Sequence, residues 1–324
     1  MKNFEYINAP SLQSAISQLQ GSNAKALAGG TDLLTEMKER IKTPDRLVNL
    51  KAIPEMRGVR DEKNKLWIGA LTTLSEIESH SLINEKFPIL AQAASVTASP
   101  QLRNAGTLGG NLCQSVRCWY YRHPDLTCWL KGGETCYAQE GINRHHAILG
   151  NAPCIAVQPS DLAPALIALD AEVHLKGDEV GGELPLDEFF VLPDEGLRQR
   201  TVLGPSDLVV GVSIPKPAAN SRGIYLKSME REDWAFALVS VAVQLQMDGK
   251  RVKEARIVLG GVAGKPWRAK SSAAVVQGKV INESLAEESG AASVAGATPF
   301  EHNQYKVVLA KNLVKRALLE LGSN

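Results

Sequence analysis

Along the first fifty residues the spacing of apolar positions changes several times. Ser11 to Leu19 carries apolar residues at helical spacing behind Pro10 and a serine cap, which predicts a helix. Lys25 to Ala28 is a short apolar run that stops at Gly29-Gly30, which predicts a strand ending in a tight turn. Asp32 to Arg40 returns to helical spacing and Arg46 to Leu50 reads as a strand, so this segment is a small α/β unit with its glycines at a strand-to-helix junction. Such junctions offer unobstructed backbone N–H groups to phosphates.

A second α/β unit begins at Leu66-Trp-Ile-Gly-Ala70 and includes a helix over Phe87 to Val96. It is interrupted by a cysteine-rich stretch and resumes with a short strand at Ile155 to Val157, a helix Leu162 to Leu169 capped by Ser160-Asp161, and strands at Glu172 to Leu175 and Leu208 to Ile214. Pro215-Lys-Pro217 reads as a linker. Beyond it the pattern changes: Ala235 to Gln246 and Arg256 to Val262 are apolar, strand-like runs joined through Asp248-Gly249, a dipeptide that favours hairpins. Helices near Ser272 to Val280 and Tyr305 to Leu321 close an α+β domain.

At 324 residues the chain accommodates two domains, and 36 Lys+Arg against 35 Asp+Glu argue against a nucleic-acid footprint. The start, Met-Lys-Asn-Phe-Glu-Tyr, has no export pattern, and no run approaches a membrane span, so the chain is expected to fold in the cytoplasm. Export alongside a signal-bearing partner stays open. The five cysteines cluster in one region, as Cys113, Cys118, Cys128, Cys136 and Cys154. That pattern fits metal ligation better than a disulfide scaffold.

Two glycine loops are candidate binding elements: Ala28, Gly29, Gly30, Thr31, Asp32, Leu33, and Asn104, Ala105, Gly106, Thr107, Leu108, Gly109, Gly110, Asn111. Their closely spaced N–H groups suit a dinucleotide pyrophosphate, although a lone Gly-Gly is more often merely a tight turn, and neither loop matches a P-loop or a Rossmann first turn. No general base, nucleophile or catalytic zinc motif is present, so no residue is assigned to catalysis on an organic substrate.

Ala28 to Leu34, Gln101 to Leu112 and Pro159 to Leu166 closely resemble the FAD-binding middle subunits of molybdenum hydroxylases, the xanthine dehydrogenase family, over essentially the whole chain. The resemblance implies a two-lobed FAD fold of the vanillyl-alcohol oxidase (PCMH) type over residues 1–217, with lobes of about 1–55 and 56–217. An α+β domain like the C-terminal domain of carbon monoxide dehydrogenase flavoproteins would follow over 218–324. It further implies that both glycine loops hold the pyrophosphate and ribityl chain, with Leu108 near the isoalloxazine. Asp161 would lie at the flavin's polar edge, where it also reads as a helix cap, and Lys227 and Trp234 would come from the C-terminal domain.

Most such subunits pass directly from Gly-Gly-Asn-Leu to the strand before Ser-Asp-Leu-Ala. Here an insertion of about forty residues, 114–154, intervenes. It resembles the iron-sulfur insertion of the middle subunits of 4-hydroxybenzoyl-CoA reductase and of a bacterial three-subunit aldehyde oxidoreductase, which implies a 4Fe-4S cluster on Cys118, Cys128, Cys136 and Cys154. The spacings, nine, seven and seventeen intervening residues, are not those of ferredoxins, and do not by themselves identify the metal. Structural zinc is the alternative, as is a quartet with Cys113 in place of Cys118. His145 and His146, in Gly141 to Gly150, are expected behind the ligands or at the surface.

The expectation is therefore an electron-transfer subunit of a heterotrimer that carries FAD and a 4Fe-4S cluster. A large molybdopterin-binding partner, a small partner with 2Fe-2S clusters and an external acceptor would complete the system. Aldehyde oxidation is the favoured activity; a 4-hydroxybenzoyl-CoA reductase-type enzyme and a zinc-stabilised scaffold without flavin are the alternatives.

Overall fold

The computed structural model describes residues 1–21, 23–150, 152–194 and 198–323. Strands Glu5–Asn8, Arg46–Asn49 and Ala24–Leu27 lie side by side in that order, all parallel. Parallel neighbours need crossovers, which the helices Leu12–Leu19 and Leu33–Lys38 supply. The first helix starts where the sequence says it should, with the Ser11 hydroxyl accepting the Ser14 N–H at 3.2 Å, and it buries Ala15, Ile16 and Leu19.

A second, antiparallel sheet has the order Val59–Asp61, Lys65–Gly69, Leu208–Pro215, Glu172–Lys176, Gly182–Pro185. Two of its three inner strands, Lys65–Gly69 and Leu208–Pro215, are neighbours in the sheet but far apart in the chain. Most of what separates them is an excursion away from the sheet, which carries the second glycine loop and the cysteines.

The third sheet is antiparallel, in the order Trp267–Arg268, Arg251–Gly260, Val239–Asp248, Ser221–Ser228. Asp248 pairs with Arg251 and Gly249 sits at φ +56°, the left-handed backbone that the Asp-Gly hairpin signal anticipates. Val239, Val241, Val243 and Leu245 face the helices Lys270–Val276, Glu283–Ser293 and Tyr305–Gly322, while Ala242 and Val258 join the core of the preceding units. Both faces of this sheet are therefore covered, which explains its long apolar runs.

The α+β architecture expected from the sequence is present; the strand Ser221–Ser228, for one, was not among the expected elements, and three further local differences have clear physical causes. Ile155 to Val157 forms no strand; it is extended chain whose neighbours bond to two other segments, Ala147 N–H to Ile155 O at 2.9 Å and Gln158 N–H to Ala263 O at 3.0 Å. The apolar run there reports burial, not sheet. The strand expected from Ala235 starts only at Val239, because Trp234, at φ +49°, turns the chain before it. The helix Glu283–Ser293 was not anticipated, since its inward face consists mostly of small residues, Ala286, Ser289, Gly290 and Ser293. They allow the Tyr305–Gly322 helix to approach closely: a Cβ on Gly290 would lie 3.3 Å from the Lys311 carbonyl carbon.

Candidate functional site

A cleft of about 680 Å³ opens between the first sheet, the segment that follows Val96 and the loop at Trp234 to Phe236. That volume is in the range of cofactor sites. Both glycine loops form its wall, the first through Ala28, Gly29, Gly30, Thr31, Asp32 and Leu33, the second through Gly106, Thr107, Gly110 and Asn111. The loops also meet each other. A Cβ on Gly29 would lie 2.9 Å from the Ala105 carbonyl carbon and 3.1 Å from Gly106 Cα, with the Ala105 oxygen nearer still. Gly30, at φ +77°, makes the turn that swings the chain into the helix Leu33–Lys38.

Four of the expected loop residues stand behind the wall instead of on it. Thr107 caps the short helix Leu108–Leu112, its hydroxyl accepting the Gly110 N–H at 3.1 Å, and this turns Leu108 into the core, fully buried and off the cleft wall. Gly109 packs on Ala70, Ala105 backs Gly29, and Asn104 ends the preceding helical turn, Pro100–Arg103. Asn111, on the wall, accepts the Ser160 hydroxyl at 2.5 Å and so ties the loop to the helix Leu162–Ala168.

Ser160 also caps that helix, accepting the Ala163 N–H at 3.0 Å. This frees Asp161 from capping. Its carboxylate lines the cleft and is held at 2.8 Å by the Lys227 ammonium and at 2.8 Å by the Tyr225 hydroxyl. Lys227, whose side chain is nearly fully buried, also donates to Val96 O at 2.9 Å. It therefore lies behind Asp161 and fixes it, and does not form part of the wall. Burial and the neighbouring Asp161 charge push the Tyr225 phenol well above its ordinary pKa, so it remains a donor.

Asp32 occupies the N-cap position of the helix Leu33–Lys38, yet its side chain caps nothing there. It turns to the cysteine segment, accepting the Ser115 N–H at 2.8 Å, the Arg122 guanidinium at 2.8 Å and that of Arg117. Burial alone would raise this carboxyl, but the two guanidinium groups outweigh it and hold its pKa below the usual carboxylate value. Two further contacts join the same elements: Lys42 to the Ser115 hydroxyl at 2.8 Å, and the Tyr121 hydroxyl to Glu36 at 3.3 Å.

Beyond Arg117, Cys118, Cys128, Cys136 and Cys154 line one small cavity together with Tyr121, Trp129 and Ala156. Cys113 is not among its residues; it lies on the wall of the large cleft. Among the described residues the cysteine segment contains only the short helical turns Trp119–Arg122 and Trp129–Lys131, and its own core consists of Val116, Trp129, Cys154 and Ala156 with Cys118, Tyr121, Leu130 and Cys136 packed against them. So small a core of its own gives the segment little independent stability, and its last part, Ile148 and Leu149, joins the core of the C-terminal domain instead. Among the described residues no three His, Cys, Asp or Glu side chains converge as ligands of a single metal ion. A tetrahedral zinc would require sulfurs only about 3.8 Å apart, given Zn–S bonds of about 2.3 Å. The four thiols that line this cavity are the candidate ligands of any metal group held there. Burial pushes the Cys118 thiol up to about 12, so its ligand form depends on a metal to displace the proton. Arg200 approaches Cys154 Sγ at 4.0 Å while donating to Ala156 O and Gly264 O, which places a positive charge beside the quartet.

Of the two histidines, His145 is partly exposed, pairs with Glu230 at 3.2 Å and meets Trp119 edge to face. His146 is buried with no hydrogen bond to either ring nitrogen. Burial, helped by the Lys306 ammonium, lowers its pKa from 6.5 to about 4. Between those values the unfolded chain binds the proton and the folded one does not, so stability is intact above pH 6.5 and declines as the pH falls toward 4, by up to about 3 kcal/mol. His146→Phe should flatten that decline without loss of stability at pH 7.5, as measured by denaturant unfolding at both ends of the range.

Several wall residues escaped sequence reasoning: Lys42, Arg117, Arg122 and Phe236. Arg117 lies over the Phe236 ring at 4.7 Å, so the insertion and the C-terminal domain meet at the cleft. The only available signal was the adjacency of Arg117 to Cys118.

A family model described as the FAD binding domain in molybdopterin dehydrogenase matches residues 2–217, and one for the CO dehydrogenase flavoprotein C-terminal domain matches 224–321. The chain is 36% identical to the aldehyde oxidoreductase FAD-binding subunit PaoB of Escherichia coli, over 99% of this chain and 98% of that protein. It is 30% identical to the carbon monoxide dehydrogenase medium chain of Hydrogenophaga pseudoflava, over 97% and 96% respectively. A solved structure of carbon monoxide dehydrogenase from the same organism superposes with a TM-score of 0.78 at 29% identity, covering 99% of this chain and 97% of the other.

Proposed function

The chain belongs to the FAD-binding medium subunits of the molybdenum hydroxylase family, and we propose that it carries two redox groups, FAD in the cleft and one 4Fe-4S cluster on Cys118, Cys128, Cys136 and Cys154. In this reading residues 1–217 hold the flavin and 218–324 close over it. The complex oxidises aldehydes, as the name of the Escherichia coli relative indicates for that protein, with a molybdopterin-binding large subunit and a 2Fe-2S small subunit as partners and an external acceptor as the outlet.

When bound, FAD exchanges electrons singly or in pairs and the cluster exchanges them singly, and together these let the subunit relay electrons between a partner and an acceptor. The chain's own residues hold and shield them. The glycine loops present backbone N–H groups to the pyrophosphate without side-chain obstruction. Asp161, fixed by Lys227 and Tyr225, offers a carboxylate to the cofactor's polar edge. Trp129 and Tyr121 exclude water from the cysteine cavity.

The observation that carries the reading is that four cysteines, spread over thirty-seven positions from 118 to 154, face one cavity in a segment with almost no regular structure of its own. The visible spectrum and metal content of the anaerobically purified protein test it. Flavin bands with a broad iron-sulfur shoulder and about four irons per chain support it; a colourless zinc protein overturns it.

Non-covalent attachment of the flavin is expected. Cys113 is the thiol on the cleft wall, and it follows the second glycine loop instead of lying on either loop. Acid precipitation should release FAD to the supernatant. A yellow pellet would show a covalent link.

A further inference from the structure

The carboxylate of Asp32 belongs to the first glycine loop, but all the side-chain partners described for it come from the cysteine insertion. An aspartate at a helix N-cap ordinarily accepts an N–H from its own first turn. Here that bond is given up, and Ser115, Arg117 and Arg122 take its place. Arg117 directly precedes Cys118, and Arg122 closes the helical turn that starts at Trp119, its Nε donating to Val116 O at 2.9 Å. The three donors are therefore in place only when the segment around Cys118 is ordered.

We propose that Asp32 is a positioning residue that couples the two cofactor sites, so that filling the cysteine cavity tightens the flavin cleft and filling the cleft secures the cysteine segment. This rests on the 4Fe-4S reading above for what fills the cavity. The insertion's core is too small to order Ser115 to Arg122 unaided. With that segment loose, Asp32 becomes a half-buried carboxylate without partners, and the loop from Gly29 to Leu33 loses the anchor that sets its N–H groups toward the cleft. The second connection, Tyr121 to Glu36 and Lys42 to Ser115, acts on the same helix and in the same sense. Thermodynamic reciprocity requires that the effect run both ways.

The test uses the full chain as wild type, Cys136→Ser, Asp32→Asn and the double variant, with iron per chain and the FAD dissociation constant measured on each. Cys136→Ser should lose iron and bind FAD about 10-fold more weakly, Asp32→Asn should keep iron and weaken FAD by a similar factor, and the double variant should be no weaker than the single ones. FAD should also slow the extraction of iron by a chelator in wild type and not in Asp32→Asn, a result that a merely structural role would not produce. Loss of iron in Cys136→Ser with FAD affinity unchanged, or defects that multiply in the double variant, would overturn the coupling while leaving the cluster reading intact. If wild type carries no iron, the cluster reading fails. The joint is then decided by Asp32→Asn, Arg122→Gln and their combination: equal, non-multiplying losses of FAD affinity support it, and multiplying losses refute it.

Discussion

Serine at any one of Cys118, Cys128, Cys136 or Cys154 should bring the iron content from about four per chain to near zero. A hydroxyl is a poorer ligand than a thiolate for a soft cluster, and one incompletely ligated iron exposes the whole cluster to loss. The effect extends to the polypeptide. Cys154 and Cys118 are both part of the insertion's small core, so residues 115–150 should become the first site of proteolysis once the cluster has gone. Cys113→Ser is the control, since it alters the cleft wall and leaves the cysteine cavity untouched. Iron analysis with limited proteolysis checks both. Iron lost from Cys113→Ser but retained in Cys118→Ser would move the fourth ligand.

Gly29→Val should abolish flavin binding and lower stability by more than about 3 kcal/mol. The added Cβ would run into the backbone of Ala105 and Gly106, and backbone does not give way as the tip of a flexible side chain does. The two glycine loops would have to separate, and each supplies part of the cleft wall. Gly30→Ala is milder. The atoms nearest its Cβ are side-chain carbons of Leu34 and Leu27, at 3.1 and 3.2 Å, so the cost is mainly that of a left-handed backbone at φ +77°, about 1–2 kcal/mol. Flavin absorbance per chain and thermal unfolding separate the two cases. Normal flavin content in Gly29→Val would mean that the loops do not jointly form the site.

Much of this was legible in the sequence because the local signals were strong. The Ser11 cap and the Asp-Gly hairpin each correspond to one local arrangement and occur as read, and the apolar run read from Ala235 is a strand from Val239 on. The glycine motifs located the cleft through resemblance, but which loop residue faces it depends on how Thr107 caps the next turn, and that sent Leu108 to the core. Lys227 was displaced for a related reason: a buried ammonium goes where carboxylate and carbonyl partners converge, and these lie behind the wall. Asp32 was assigned to the cofactor from its motif, whereas its insertion partners are more than eighty positions away, at Ser115, Arg117 and Arg122. Contacts at that separation leave no periodic trace. The helix Glu283–Ser293 was missed because small residues pack without producing a hydrophobic stripe.

The final leg of the cysteine segment depends on groups near the end of the chain. Asn303 donates to the carbonyls of His146 and Ala147, Lys306 to those of His145 and Gly261, and the His302 N–H to the Asn143 side chain. During synthesis residues 143–147 leave the ribosome long before these partners exist. Their carbonyls stay with water until the last helix, Tyr305–Gly322, has been made and docked. Closure of the cysteine pocket is therefore a step that follows translation, and a ribosome stalled short of residue 302 would display the cysteines without the framework that closes over them.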